Sequence, residues 1–343
     1  VTDEFPVLPF RASLYAPAEL FAGFDPNRVG SYADTLDFRT YRSTRIPANR
    51  DVGMLRALHD QCISEARDTL VADQDVVAIM GGHDLGRDNP AYRDVVELAA
   101  RLTTAGFLVI SGGGPGAMEA THLGATLAAA DPADRTAAVA RLARTAPWFP
   151  VRAAGLVDRK GEIDQGLLGQ LHAWQAPAFR LLAELDQKFD RPRPTSVAVP
   201  TWFYGHEPPT PFASHLAKYF ANALREDGLL AVANAGVIYA PGRAGTLQEI
   251  FQDAAQNFYR VFHDRFSPMV FLNTDEHWTA KYPVGELLRP LFAEDARRHA
   301  DYRANVRFTA HVPSAVDFLL GRRSADQADQ GSETSSGAAS APG

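Results

Sequence analysis

The sequence predicts an α/β fold built on a mostly parallel, doubly wound sheet. Three observations carry that prediction. Short apolar runs at 76–80, 107–110, 196–200, 236–240 and 268–272 alternate with helical patterns. Two of these runs end in glycine-rich turns, one at 111–120 and one at 241–249, and a helical pattern follows each. A strand, a glycine turn and a helix start gather several backbone N–H groups at one point with the helix dipole behind them, an arrangement that favours an anion, usually a phosphate. The composition, 46% hydrophobic and 22% charged over 343 residues, is that of an ordinary globular chain.

Each element follows from local pattern. Residues 1–50 are rich in Pro, Gly, Tyr and Arg with little periodicity and read as an extended arm with a short helix near 18–21. Val52, Leu55, Leu58, Cys62, Ala66 and Leu70 recur at helical spacing, so 51–73 is a helix and Cys62 a packing residue. The strand at 76–80 ends at Gly81-Gly82. Asn89-Pro90 starts a helix whose buried side is Val95, Val96, Leu98, Ala99 and Leu102, and Gly106 ends it. The helix after the first glycine turn runs to about 130. Two further helical stretches, near 135–145 and 166–189, form an insertion at 131–194 that could cover a site.

A loop at 201–209 follows the third strand and leads to a helix around 212–226. The helix after the second glycine turn carries the stripe Leu247, Ile250, Phe251, Ala254, Phe258 and Val261. A short strand at 306–308 and a helix at 313–320 precede a Ser, Ala, Gly, Gln and Asp tail that reads as disordered. The chain thus divides into an arm and helix (1–75), a doubly wound α/β domain with a helical insertion (76–322) and a tail (323–343). Ligands bind such sheets at the carboxyl ends of the strands, where both glycine turns, Gly81-Gly82 and the loop at 204–209 converge.

Several classes of function are disfavoured. A net charge of −7 argues against a broad basic face for duplex nucleic acid. The single cysteine permits neither an intramolecular disulfide nor a cysteine zinc cluster, which predicts a cytoplasmic protein. No apolar run is long enough for a membrane span, and no secretory signal is expected. His206-Glu207 lacks the second histidine of a zincin motif and Pro208-Pro209 forbid a helix there, so no metal site is expected. Neither a P-loop nor a Gly-x-Ser-x-Gly elbow occurs.

From 76 to 119 and from 196 to 272, about 120 residues, the chain resembles the LOG family. These are the cytokinin-activating nucleoside-monophosphate phosphoribohydrolases. It resembles more closely the larger bacterial nucleotide monophosphate nucleosidases of that superfamily. The family's opening strand and turn look like 76–82, and its triple-glycine turn looks like Gly112-Gly113-Gly114. Its hallmark, Pro-Gly-Gly-x-Gly-Thr-x-x-Glu, is matched by Pro241, Gly242, Gly245, Thr246 and Glu249. Two departures stand out. Arg243 replaces the second glycine of the hallmark, which would strain a turn needing positive φ or add a guanidinium to a phosphate cradle. Compact members also carry a catalytic arginine in a His-x-Arg-Lys motif on the helix after the third strand. Here no arginine falls between Arg193 and Arg225, and the corresponding helix offers His215 and Lys218.

The resemblance implies hydrolysis of the N-glycosidic bond of a nucleoside 5′-monophosphate to free base and ribose 5-phosphate, without a cofactor and in a homodimer or higher homo-oligomer. Such proteins have often carried a lysine decarboxylase label, yet nothing in this sequence supports pyridoxal phosphate chemistry. Glu249 is the carboxylate expected to face the oxocarbenium-like ribose, ionised by its place at a helix start, with His215 and Lys218 as further catalytic candidates. Gly81, Gly82, Gly112, Gly113, Gly114, Gly242, Arg243, Gly245 and Thr246 are the expected phosphate and substrate contacts. Glu119 either holds ribose hydroxyls or caps its own turn. His206, His215 and Asp84 are candidates for assisting the departing base, and Trp202, Phe203 and Tyr204 for stacking on it or packing in the core. The rival reading is a binding module that senses a nucleotide without turning it over.

Overall fold

A computed structural model of the chain describes residues 2, 4–150, 152–189, 192–262 and 264–337, the last twelve as backbone only. Seven strands form one sheet: β1 (Val76–Met80), β2 (Leu108–Ser111), β3 (Ser196–Ala198), β4 (His215–Leu216), β5 (Gly236–Tyr239), β6 (Met269–Leu272) and β7 (Val306–Thr309). Every pairing is parallel and the order is β4-β3-β2-β1-β5-β6-β7. The chain builds outward from β1 to one edge, then returns to the other side of β1. The switch point of this Rossmann-like doubly wound sheet therefore lies between β1 and β5, where a crevice opens at the strands' carboxyl ends.

The helices are α1 (Pro17–Leu20), α2 (Leu36–Thr44), α3 (Arg50–Val71), α4 (Pro90–Thr104), α5 (Ala117–Thr126), α6 (Pro132–Thr145), α7 (Gln165–Lys188), α8 (Asn222–Ala231), α9 (Ala244–Tyr259), α10 (Val284–Ala293), α11 (Ala296–Asn305) and α12 (Val312–Gly337). They cover both faces of the sheet, which is why the central strands are buried along their whole length. Within β1 the side chains alternate. Val77 and Ile79 join Val95, Leu98, Leu102, Leu123 and Leu319 on one face. Val76, Ala78 and Met80 join Tyr15, Phe21, Tyr32 and Phe38 on the other.

The amino-terminal segment is more structured than its composition implies. Tyr15 pairs antiparallel with Leu216 and closes the open side of β4. Asp37 on α2 is fully buried and receives three donors from three places: Lys218, the Trp202 indole (3.0 Å) and the Tyr32 hydroxyl (2.8 Å). Lys218 is equally buried, and desolvation lowers its pKa against the pull of Asp37. The catalytic role expected for Lys218 thus gives way to a structural one.

A second buried ion pair anchors the insertion. Arg87 holds Glu119 through two parallel hydrogen bonds of 2.7 Å, and Tyr92 donates to the same carboxylate at 2.7 Å. The guanidinium also donates to the carbonyls of Ala146 and Trp174 and lies 4.3 Å over the Trp174 ring. Of the two roles the sequence left open for Glu119, holding ribose is thereby removed: its carboxylate is spent on Arg87 and Tyr92. The insertion helices α6 and α7 are tied to this network and to the core, and they do not cover the crevice.

Two element boundaries differ from expectation. The helix placed around 212–226 is instead a short edge strand followed by α8. Ser214 Oγ donates to the Ser196 carbonyl and accepts from its N–H, which draws this segment onto β3. Asp60 then receives the N–H groups of Phe220 and Ala221 (2.9 and 2.8 Å), which sets where α8 begins. At the other end, α12 continues past Leu320 to Gly337, because Arg323 hydrogen-bonds the Ala105 carbonyl and packs on Phe107. The end of the tail expected to be disordered, 338–343, lies outside the described residues. Phe251, Tyr259, Val261 and Phe262 are exposed.

Asp37→Ala strands the buried Lys218 charge, and Glu119→Ala strands Arg87. Each substitution is expected to lower the unfolding free energy by about 3–5 kcal/mol. Urea denaturation measures this, and a loss under about 1 kcal/mol, as for an exposed pair, would contradict the assignment.

Candidate functional site

Three glycine turns meet at the switch point. Gly82, directly after β1, donates its N–H to the Pro241 carbonyl (3.0 Å) on one side and accepts from the Ala117 N–H (3.1 Å) on the other. The turn after β1 is therefore clamped between the starts of α5 and α9. Glycine is required at 81, since a Cβ there would lie 2.6 Å from the Ala117 Cβ. Gly242 is similarly constrained, because a Cβ would overlap the Thr246 hydroxyl.

Arg243 does not strain this turn. Its φ of −128° is negative, so the hallmark position it occupies does not need the left-handed conformation that favours glycine. The side chain is largely exposed and pairs with Asp84 at 3.2 Å.

The turns enclose a cleft of about 370 Å³. Gly81, Gly82 and Asp84 line it from the β1 turn, and Arg243, Gly245, Thr246 and Glu249 line it from the second glycine turn and α9. Met118, Tyr204 and Glu207 come from α5 and the loop after β3, and Arg225 and Glu226 from α8. At the start of α9 the N–H groups of Ala244, Gly245 and Thr246 have no partner among the described residues, and Arg243 supplies no capping bond. Three free donors and the positive end of a 16-residue helix face the cleft.

Its floor is carboxyl-rich and partly dry. Burial pushes the Glu249 carboxyl up to about 7, with Arg225 pulling it down and Glu226 pushing it up. Glu249 accepts no hydrogen bond from the described residues, so only this charge environment holds its proton balance. The ionised state expected from the helix start is accordingly only half realised near neutrality. Burial also raises Glu207, against the nearby positive charge of His83, Arg225 and Lys218. Its Oε1 lies 3.9 Å from ring nitrogens of both His83 and His206. His206 is lowered to about 4 by burial, then by His83 and Arg45, and so stays neutral at physiological pH.

Arg225 is the cation that the sequence reading missed. Its Nε donates to the Val199 carbonyl at 2.8 Å and its Nη2 to the Gly112 carbonyl at 3.4 Å. The end of β3 and the first glycine turn thus hold the guanidinium beside the two raised carboxyls. A signal existed: counting the helix from Asn222, not Phe212, puts Arg225 in its first turn.

The remaining predicted residues divide. Gly81, Gly82, Arg243, Gly245, Thr246 and Glu249 line one cleft. Gly112, Gly113, Gly114 and Gly242 do not. The Gly113 N–H donates to Ser111 Oγ (3.2 Å) and its carbonyl accepts from Thr210 (2.8 Å). The Gly242 N–H lies 3.2 Å from His277 Nε2. The Gly113 and Gly242 N–H groups are thus already engaged, and the Gly112 carbonyl braces Arg225. His215 lies half-buried on β4 against Ser214 Oγ, outside the cleft, because its segment is a strand. Trp202 is sealed in the core, Phe203 faces another cavity, and Tyr204 alone of the three aromatics borders the cleft.

Among the described residues no His, Cys, Asp and Glu cluster suits a metal ion, and no helix is long and apolar enough to cross a membrane. No family model and no curated protein matches the sequence. Among solved structures, the chain is similar to TM1055, a structural-genomics target, at 20% identity and a TM-score of 0.40, covering 72% of this chain and 99% of that one. It is also similar to a molybdenum cofactor binding protein from the phototrophic bacterium Rippkaea orientalis, at 13% identity and a TM-score of 0.37, covering 72% and 96%. Both likenesses are distant, and neither bears on what the cleft binds.

Proposed function

We propose that the cleft hydrolyses the N-glycosidic bond of a nucleoside 5′-monophosphate. The observation that carries this reading is the juxtaposition of Glu249, desolvated and free of hydrogen bonds, with Arg225 and the unpartnered N–H groups at the start of α9. The phosphate takes the N–H groups of Ala244, Gly245 and Thr246, with the Thr246 hydroxyl as a further donor. Each such helix terminus supplies roughly 0.3–1 kcal/mol for an exposed anion and up to about 2 kcal/mol for a partly buried one, enough to orient the ligand but not to cleave it.

The ribose then lies along the first turns of α9 against Glu249. As the bond from C1′ to the base nitrogen breaks, its electron pair leaves with the base and positive charge builds on the ribose. Ionised Glu249 stabilises that charge and takes a proton from the water that adds to C1′. The base leaves as a neutral species only if it gains a proton. Glu207, which burial raises, is the donor this reading assigns, with Tyr204 bordering the base. Arg225 favours the ionised form of both carboxyls. The sensing alternative rests on Arg243 and on the arginine absent from the expected motif, and Arg225 weighs against the second of these.

Incubation with a panel of nucleoside monophosphates, with free base followed by chromatography, tests the reading. Wild type is expected to release base, and Glu249→Gln to lose about 10²-fold or more of that rate while still binding nucleotide. A wild-type protein that binds nucleotides but releases no base from any of them would replace hydrolysis with sensing.

The state of Glu249 is open to a separate check. The folded chain holds this proton to about 7, whereas the ordinary glutamate value is 4.5. The folded state therefore binds more protons across that window, and this group's contribution to stability falls as pH rises through it. Glutamine cannot ionise. Glu249→Gln should match wild type below the window and exceed it above by about 1–3 kcal/mol in denaturant unfolding. A difference independent of pH would mean that the carboxyl is not desolvated.

A further inference from the structure

Behind the loop that follows β3 lies a second cavity, of about 630 Å³, within the range that takes small molecules. It shares walls with the cleft but not lining residues. On the loop, Phe203 faces this cavity while Tyr204 and Glu207 face the cleft. On α8, Leu224 faces it while Arg225 faces the cleft.

Two arginines reach this cavity from the amino-terminal segment. Arg45, just past α2, makes no side-chain hydrogen bond or ion pair among the described residues, and its buried Nε has no partner. Arg56 on α3 has a buried, unpartnered Nε as well. Its one hydrogen bond is from Nη2 to the Ser43 carbonyl at 3.3 Å, and its guanidinium lies 5.3 Å over the Phe220 ring. Asp60 borders the cavity and sets one negative charge against the two arginines, but it hydrogen-bonds to neither. Its carboxylate is taken by the N–H groups of Phe220 and Ala221 and by His59. Burial lowers the Arg56 pKa, with Asp60 opposing weakly. Leaving a guanidinium nitrogen buried and unpaired is costly, and an anion is the partner that relieves the cost.

The other walls are apolar. Phe203 is 64% exposed and Leu224 50% exposed, so both present apolar surface to the cavity beside the two cations. Guanidinium donors on one side and aromatic and aliphatic surface on the other define the ligand's chemistry.

We propose that this cavity is a second binding site, and that it takes a small amphipathic anion: a carboxylate, sulfonate or phosphate monoester on a flat apolar body. The anionic group pairs with Arg45 and Arg56, and the body lies between Phe203, Phe220 and Leu224. The site does not depend on what the cleft binds.

Anilinonaphthalene sulfonate, which has this chemistry, is the probe for a fluorescence titration of the full chain. Saturable binding to wild type is expected, with N-phenylnaphthylamine, its neutral counterpart, binding far less. Arg45→Gln and Arg56→Gln should each weaken the sulfonate by about tenfold, the worth of one charge-assisted hydrogen bond. Phe203→Ala, at an exposed position that folding does not require, should weaken both dyes. Glu249→Gln should bind like wild type, which separates this site from the cleft whether or not the cleft proves catalytic. Binding unchanged in Arg45→Gln and Phe203→Ala, binding lost in Glu249→Gln, or no saturable binding to wild type would each overturn the proposal.

Discussion

The site depends on one backbone residue held from both sides. Gly82 passes its N–H to Pro241 and takes the N–H of Ala117, so the turns after β1, β2 and β5 are fixed against one another. These strands are neighbours at the point where the sheet changes direction. Side chains cannot fit between turns that approach so closely, which is the reason for glycine at 81 and 242. With the turns locked, the free end of α9 and the carboxyl of Glu249 must open into the same space.

Charge is used in two ways around this frame. Lys218 with Asp37 and Arg87 with Glu119 are buried pairs hydrogen-bonded to each other, and they tie distant segments to the sheet. Such pairs contribute little net stability compared with apolar packing, but they strongly disfavour any arrangement that parts them. The groups in the cleft are different. Glu249 is desolvated without a hydrogen bond, Glu207 is raised despite Arg225 and Lys218 nearby, and Arg225 is held by carbonyl oxygens and not by a bidentate carboxylate. Unsatisfied titratable groups in a concave site are where chemistry is expected, because their proton affinities respond to a ligand. The pair Arg45 and Arg56 belongs with this second kind.

Much of the architecture was legible from pattern. The strand at Val76–Met80 stands where its unbroken apolar run put it, and Asn89-Pro90 caps α4 as expected. The helix around 212–226 was misread because Phe212, Leu216 and Tyr219 recur at helical spacing. The segment instead forms an edge strand at His215–Leu216, where Ser214 bonds to Ser196 and Tyr15 pairs with Leu216. Those partners are at least eighteen residues away, and no local periodicity reports them. That single displacement moved His215 and Lys218 out of the site and brought Arg225 in.

The sequence alone therefore determined what a short stretch can decide: which runs become central strands, which turns need glycine, and that Glu249 sits near a helix start beside free N–H groups. The tertiary structure decided which charges are spent and which remain available. Glu119 and Lys218 read no differently from Glu249 in one dimension, yet Arg87 and Asp37 occupy the first two and leave the third alone. The physical reason is that a charge's role depends on its nearest counter-charge and its access to water. Both are set by residues far apart in the chain that folding brings together.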